Sequence, residues 1–137
     1  VGVKISCKAV ELSQQPGSQP QTVQLMIWDI EGKNEFKEIA ASYLQDASGS
    51  IVVGDASRPD TIAAIQEHIA LFNSVNPAGW VIVAFNKADL VETAVLEELH
   101  QKIVLGAADR AANIYFTSTK TGQNVDKVFT TLAAKLV

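Results

Sequence analysis

The sequence predicts an α/β fold in three layers, a mostly parallel sheet with helices on both faces. Three observations lead there. Short apolar runs at Ile51, Val81–Phe85 and Ile114–Phe116 read as buried strands. They alternate with stretches whose apolar residues recur at helical spacing, the pattern of parallel strands joined by helical crossovers. The chain has 137 residues, 47% hydrophobic and 19% charged, which gives one domain (1–137) with a real core and excludes disorder.

Val1, Val3, Ile5, Cys7 and Ala9 alternate with Lys4, Ser6 and Lys8, so the first strand should turn its odd-numbered residues to the core and its lysines to water. Lysines also suit an edge strand, where charge discourages edge-to-edge pairing. On this pattern Cys7 is a small core residue. One cysteine makes no internal disulfide, which fits a reducing cytosol. Val3–Leu12 and Val23–Trp28 form a hairpin around Ser13–Gln21, a polar loop of turn residues that carries no chemistry. Ser57-Arg58-Pro59-Asp60 resembles a helix start with an acid three residues on. Ile62, Ile65, Ile69 and Phe72 form that helix's apolar stripe, and Asn76-Pro77-Ala78-Gly79 stops it. A helix around Glu92–Ile103 precedes the Ile114 strand. Val125, Val128, Phe129, Leu132 and Leu136 give the last helix its buried face. His68 and His100 fall on helix surfaces, far from Cys or paired carboxylates, and receive no metal or catalytic role.

The most informative stretch is Val81–Asp89, where the buried strand stops at Asn86-Lys87-Ala88-Asp89. Polar residues at that spacing, on the carboxyl end of a parallel strand, make a corner that reads guanine. The Asp89 carboxylate can accept from both N1–H and the exocyclic amine. The Asn86 amide ties neighbouring loops, and the Lys87 stem covers a ring face. Adenine offers no N1 proton and would leave the carboxylate unpaired. Thr117-Ser118-Thr119-Lys120-Thr121-Gly122 follows the Ile114 strand. Alone it is an ordinary helix cap, but about thirty residues after Asn86 it becomes a second wall of the same corner.

With these segments in place, the chain resembles a Ras/Rab-type small GTPase of the P-loop NTPase superfamily from its second strand to its last helix. The match is carried by Leu25–Gly32, Tyr43-Leu44, Gly49–Asp55, Asn86–Asp89, Thr117–Gly122, Asn124-Val125 and Val128-Phe129. The resemblance implies GTP/GDP binding through Asn86, Lys87, Asp89, Ser118, Thr119 and Lys120. A backbone N–H in the second loop would meet guanine O6, and the Lys120 stem would face Lys87 across the ring. It also implies protein effectors and regulators.

What the family places before this point is absent from the sequence: a first strand, a Gly-x-x-x-x-Gly-Lys-Ser/Thr phosphate loop, a helix and a switch threonine. Gly32-Lys33 runs into Asn34, and the chain opens on Val1. The expectation is an N-terminally incomplete Ras-like domain. In the family sheet the missing strand is central, so the hairpin and the later strands should share no ladder. An upstream segment of the same parent would supply the strand and close two open edges.

On the phosphate side, Asp29-Ile30-Glu31-Gly32 matches the family's Asp-x-x-Gly, in which the Asp holds Mg²⁺ through a water and the Gly N–H senses the γ-phosphate. Asp46–Gly49 fits the same pattern, but only Asp29 follows an apolar strand ending in Trp. The family's water-orienting Gln is replaced by Lys33, which cannot both donate to and accept from a water as an amide does. No catalytic residue is therefore assigned. The expectation is a GTPase switch domain with weak or partner-dependent hydrolysis. The alternative is a non-hydrolysing, GTPase-like interaction module. A formal charge of −4 without a Lys/Arg cluster argues against nucleic-acid binding. A cytoplasmic protein is expected, and no prenyl anchor if Val137 is the true C-terminus.

Overall fold

A computed structural model describes residues 3–12, 17, 19–30, 44–106 and 113–137. The strand β4 (Trp80–Asn86) lies between β3 (Gly49–Asp55) and β5 (Asn113–Phe116), and all three run parallel. Val81 through Phe85 are each at most 4% exposed, as an apolar run covered on both faces should be. The strand period of two divides the work. Val81, Val83 and Phe85 join the core beneath α1 (Pro59–Val75) and α2 (Thr93–Gly106), whereas Ile82 and Ala84 meet Val128 and Leu132 of α3 (Val125–Lys135). Helices on both faces of a parallel sheet make the expected three layers.

The α1 stripe is as its spacing predicts, with Ile62, Ile65, Ile69 and Phe72 all buried. Its close seating depends on Gly54 in β3, since a Cβ there would lie 2.6 Å from Ile65 Cδ1. The expected capping pair does not form at the start of this helix. Arg58, not Ser57, is the N-cap and makes no side-chain cap bond, since a guanidinium has no acceptor for the helix N–H groups; Ser57 stands one position earlier, its hydroxyl donating to Asp55 Oδ1 at 2.6 Å. Pro59 suits the first helical position, and Asp60 pairs with Arg58 at 3.3 Å. At the other end the Asn76 amide donates to the carbonyls of Leu44 and Ala47, which fixes the segment leading into β3.

The antiparallel pair β1 (Val3–Leu12) and β2 (Gln21–Ile30) forms a separate sheet, in register from Val3↔Ile30 to Leu12↔Gln21. Among the described residues no ladder joins it to β3–β4–β5, the separation the sequence leads one to expect. The two sheets are bridged by α3. Ala133, Phe129 and Leu136 pack on Val10, Leu12, Val23, Leu25 and Ile27, and Leu136 also reaches the cluster around Ile82.

This packing reverses the expected faces of β1. Val10 and Leu12 are buried, while Ile5 is 54% exposed and Cys7 is exposed rather than in the core. The alternation was legible but its direction was not. Both parities of β1 contain apolar residues, and the helix that selects between them comes from more than a hundred residues downstream.

Candidate functional site

The C-terminal ends of β4 and β5 converge on one corner. Asn86 closes β4, and its carbonyl accepts from Ala56 N–H at 2.8 Å, which ties the ends of β3 and β4 together. Lys87 then adopts a left-handed conformation at φ 59° and ψ 33°. This reversal starts a 3₁₀ turn, Ala88–Leu90, that projects Asp89 from the strand end. After β5, Thr117 and Ser118 are 5% and 0% exposed, although both are polar.

Their burial is explained by what they bond. Thr117 N–H donates to Phe85 O at 2.8 Å, and Ala88 N–H donates to Thr117 O at 3.0 Å. The Thr117 hydroxyl donates to Asn86 Oδ1 at 3.3 Å, and the Ser118 hydroxyl donates to Asp89 Oδ1 at 2.8 Å. Ser118 Oγ also accepts from Thr121 N–H at 3.2 Å, which folds the second loop back on itself. Gly122 allows the turn with φ +83°, its N–H donating to Ser118 O at 2.8 Å. The Asn124 amide, donating to Phe116 O at 2.8 Å, locks the loop to β5. The six residues expected to contact the nucleotide thus lie at two adjacent strand ends, and three of them, Asn86, Asp89 and Ser118, are cross-linked as described. Thr119 and Lys120 are exposed at the rim.

Chemically the corner is an acceptor beside donors. Among the described residues only Ser118 bonds the Asp89 carboxylate, so Oδ2 and a further lone pair on Oδ1 remain for two donors. Asp89 is exposed, so discrimination by an unpaired carboxylate would arise only when a base covers it. Thr119 N–H has no acceptor among the described residues and can meet a carbonyl oxygen.

Asp55, to which the sequence reading gave no role, belongs to this corner. It stands opposite Asn86 in the β3–β4 register, and its Oδ2 lies 3.0 Å from Lys87 Nζ. The Ser57 hydroxyl, then Lys87 and the Ser57 N–H, hold its carboxyl below the usual carboxylate range against the opposing effect of burial. A carboxylate at the end of the neighbouring parallel strand, level with Asn86, was the available signal.

The phosphate side is less complete. Asp29 is exposed near the end of β2, opposite Lys4, and no described contact joins it to the corner. Gly32 and Lys33 lie outside the described residues, as do Glu31 and Tyr43. Among the described residues no group of three His, Cys, Asp or Glu could hold a metal. Magnesium is commonly held by one or two carboxylates together with phosphates and waters, so Asp29 fits as one contributor and not as a site. His100 is exposed, its ring set edge-to-face with Phe116 at 6.1 Å between centroids, and His68 is half-buried, which lowers its pKa.

No helix among the described residues is long and apolar enough to cross a membrane. Sequence comparison places the chain among known proteins. The Ras family profile matches residues 2–137. The chain is 34% identical over 124 residues to GTP-binding protein ypt5 of Schizosaccharomyces pombe, covering 88% of this chain and 57% of that protein. It is 22% identical to GTP-binding protein ypt4 of the same yeast, over all of this chain and 58% of the relative. With the probable Ras-related protein Rab-4A of Echinococcus multilocularis it shares 29% identity, over 84% of this chain and 52% of the relative. It therefore spans a little over half the length of these relatives. The matched span includes the two cross-linked loops and all five described strands, and the chain belongs to the Ras family of small GTPases.

Proposed function

We propose that the chain is the base-reading and switch portion of a Rab/Ypt-like GTPase. It binds GTP and GDP together with a phosphate loop and central strand supplied upstream in the same polypeptide. The observation that carries this reading is the bond from fully buried Ser118 to Asp89, with Asn86 held by Thr117 alongside. It presents Asp89 as a fixed double acceptor for guanine N1–H and its amine. Thr119 N–H meets O6, and the stems of Lys87 and Lys120 cover the two ring faces. Asp29 contributes to Mg²⁺ once nucleotide phosphates complete its shell, and Gly32 contacts the γ-phosphate. The protein works in the cytoplasm as a switch read by effectors and set by regulators.

Hydrolysis is weak or depends on a partner, because Lys33 stands where the family uses a water-orienting amide. The same residue favours a second reading, a GTPase-like interaction module that binds without hydrolysing.

Calorimetry with GDP and Mg²⁺ tests the first reading. Most affinity in such sites comes from the phosphates. These 137 residues should therefore bind weakly, and the natural polypeptide that includes the upstream segment should bind tightly. Tight, Mg²⁺-dependent binding by the 137 residues alone would place the phosphate site elsewhere and sink the proposal.

A further inference from the structure

We infer that Asp55 is a positioning residue for Lys87, fixing the lysine stem where a purine ring can lie on it; the ligand rests on the guanine reading above. Lys87 needs such a hold. Its φ of 59° is a region that side chains other than Gly, Asn and Asp rarely occupy, and lysine has no short polar group to stabilise it locally. Two backbone bonds help, Ala88 N–H to Thr117 O and Leu90 N–H to Lys87 O, each at 3.0 Å. The remaining contact is the ammonium on Asp55 Oδ2 at 3.0 Å.

Asp55 is built to be that anchor. Its side chain is only 15% exposed, whereas that of Lys87 is 53% exposed. Its N–H donates to Thr61 Oγ1 at 2.8 Å, and it stands level with Asn86 across the parallel ladder. The two carboxylate oxygens have separate tasks. Oδ1 accepts from the Ser57 N–H at 2.9 Å and the Ser57 hydroxyl at 2.6 Å, and Oδ2 takes Lys87. The ammonium is thus held at its tip while half of the side chain stays open, the surface against which a flat ring can pack.

The division of labour makes Asp55→Asn informative. The amide oxygen keeps both Ser57 donors, and the amide nitrogen in place of Oδ2 cannot accept from an ammonium. Two measurements are needed. In the 137-residue chain without nucleotide, amide hydrogen exchange at Ala88 should quicken about three- to fivefold in Asp55→Asn, the scale of a partly exposed ion pair, with Val83 unchanged. Lys87→Met should do the same, and the double variant should do no more. In the longer polypeptide loaded with a fluorescent GDP, release should quicken by a similar factor in Asp55→Asn, and Asp55→Glu should recover part of it. An Asp55→Asn effect that persists undiminished on a Lys87→Met background would show that Asp55 acts through the Ser57 turn and overturn the proposal. So would unchanged exchange at Ala88. A parent polypeptide that binds no GDP, with the exchange coupling intact, removes the guanine reading and leaves Asp55 as the anchor of Lys87.

Discussion

At the ends of β4 and β5, bonds from Ala88, Thr117 and Ser118 stitch two loops into one corner above the buried run Val81–Phe85. The β1–β2 hairpin is made differently. It rests on the remainder of the described chain chiefly through α3, and its other face shows Ile5, Met26 and Trp28 at 54%, 65% and 44% exposure. Both regions have backbone ladders, β1 with β2 and β4 with β3 and β5. They differ in apolar closure. Val81–Phe85 beneath the corner are covered on both faces of the sheet, whereas the hairpin buries one face and leaves the other exposed among the described residues. On the reading proposed above, base reading falls on the corner and Asp29 of the phosphate side on the hairpin, so the contrast in apolar closure predicts a difference in local stability between the two.

The largest test of that contrast is core truncation. Phe85 is fully buried beside Phe116, with ring centroids 5.8 Å apart, so Phe85→Ala should cost about 3–5 kcal/mol of folding stability. Leu25→Ala in the hairpin should cost less, about 2–3 kcal/mol, and appear first as local opening of β1–β2 in hydrogen exchange while β4 stays protected. Equal costs, with both regions opening together, would show one cooperative unit and erase the distinction.

Next in size is the choice of base. In a nucleotide-competent polypeptide, Asp89→Asn exchanges a double acceptor for one donor and one acceptor, which suits xanthine better than guanine. GTP affinity should fall by roughly 2–4 kcal/mol, and xanthosine triphosphate should bind better than before. Ser118 Oγ can still bond the amide oxygen, so the loop cross-link survives and the loss reports the base. Guanine affinity within a factor of a few of the original would disprove the role given to Asp89.

The same contrast explains what the sequence could and could not reveal. Val81–Phe85 and the Ile62–Phe72 stripe were legible because their periods match the elements that bury them, and burial there is decided by near neighbours. That Asn86–Asp89 and Thr117–Gly122 follow adjacent strand ends was legible because each polar run ends an apolar one. β1 was misread because both faces of the strand are apolar enough, and the choice is made by Ala133 and Phe129 at the far end of the chain. The Ser57 cap failed because the helix starts at Pro59 with Arg58 as its N-cap, while Ser57 lies one residue earlier in a turn held by Asp55. Asp55 was overlooked as part of the corner because its partner Lys87 becomes a neighbour only once β3 and β4 are in register.

The smallest expected effect is the acid limb of stability at this corner. Asp55 has its pKa lowered from 3.8, first by the Ser57 hydroxyl, with Lys87 a lesser cause and burial opposing both. A lowered folded-state pKa means that the native protein holds the charged form more firmly than the unfolded chain does. The resulting stabilisation is complete above the unfolded value near 3.8. It is lost as pH falls through the folded value, because protonation then favours both states equally. Thermal melts between pH 5 and pH 3 should therefore decline less steeply in Asp55→Asn than in the parent chain, by a few degrees at most for a domain of this size. The order of causes sharpens the test. Carboxyl ¹³C titration of Asp55 should move upward more in Ser57→Ala than in Lys87→Met. The reverse order would make Lys87 the main electrostatic partner, and the anchor would then run from lysine to aspartate rather than from Ser57 through Asp55 to Lys87.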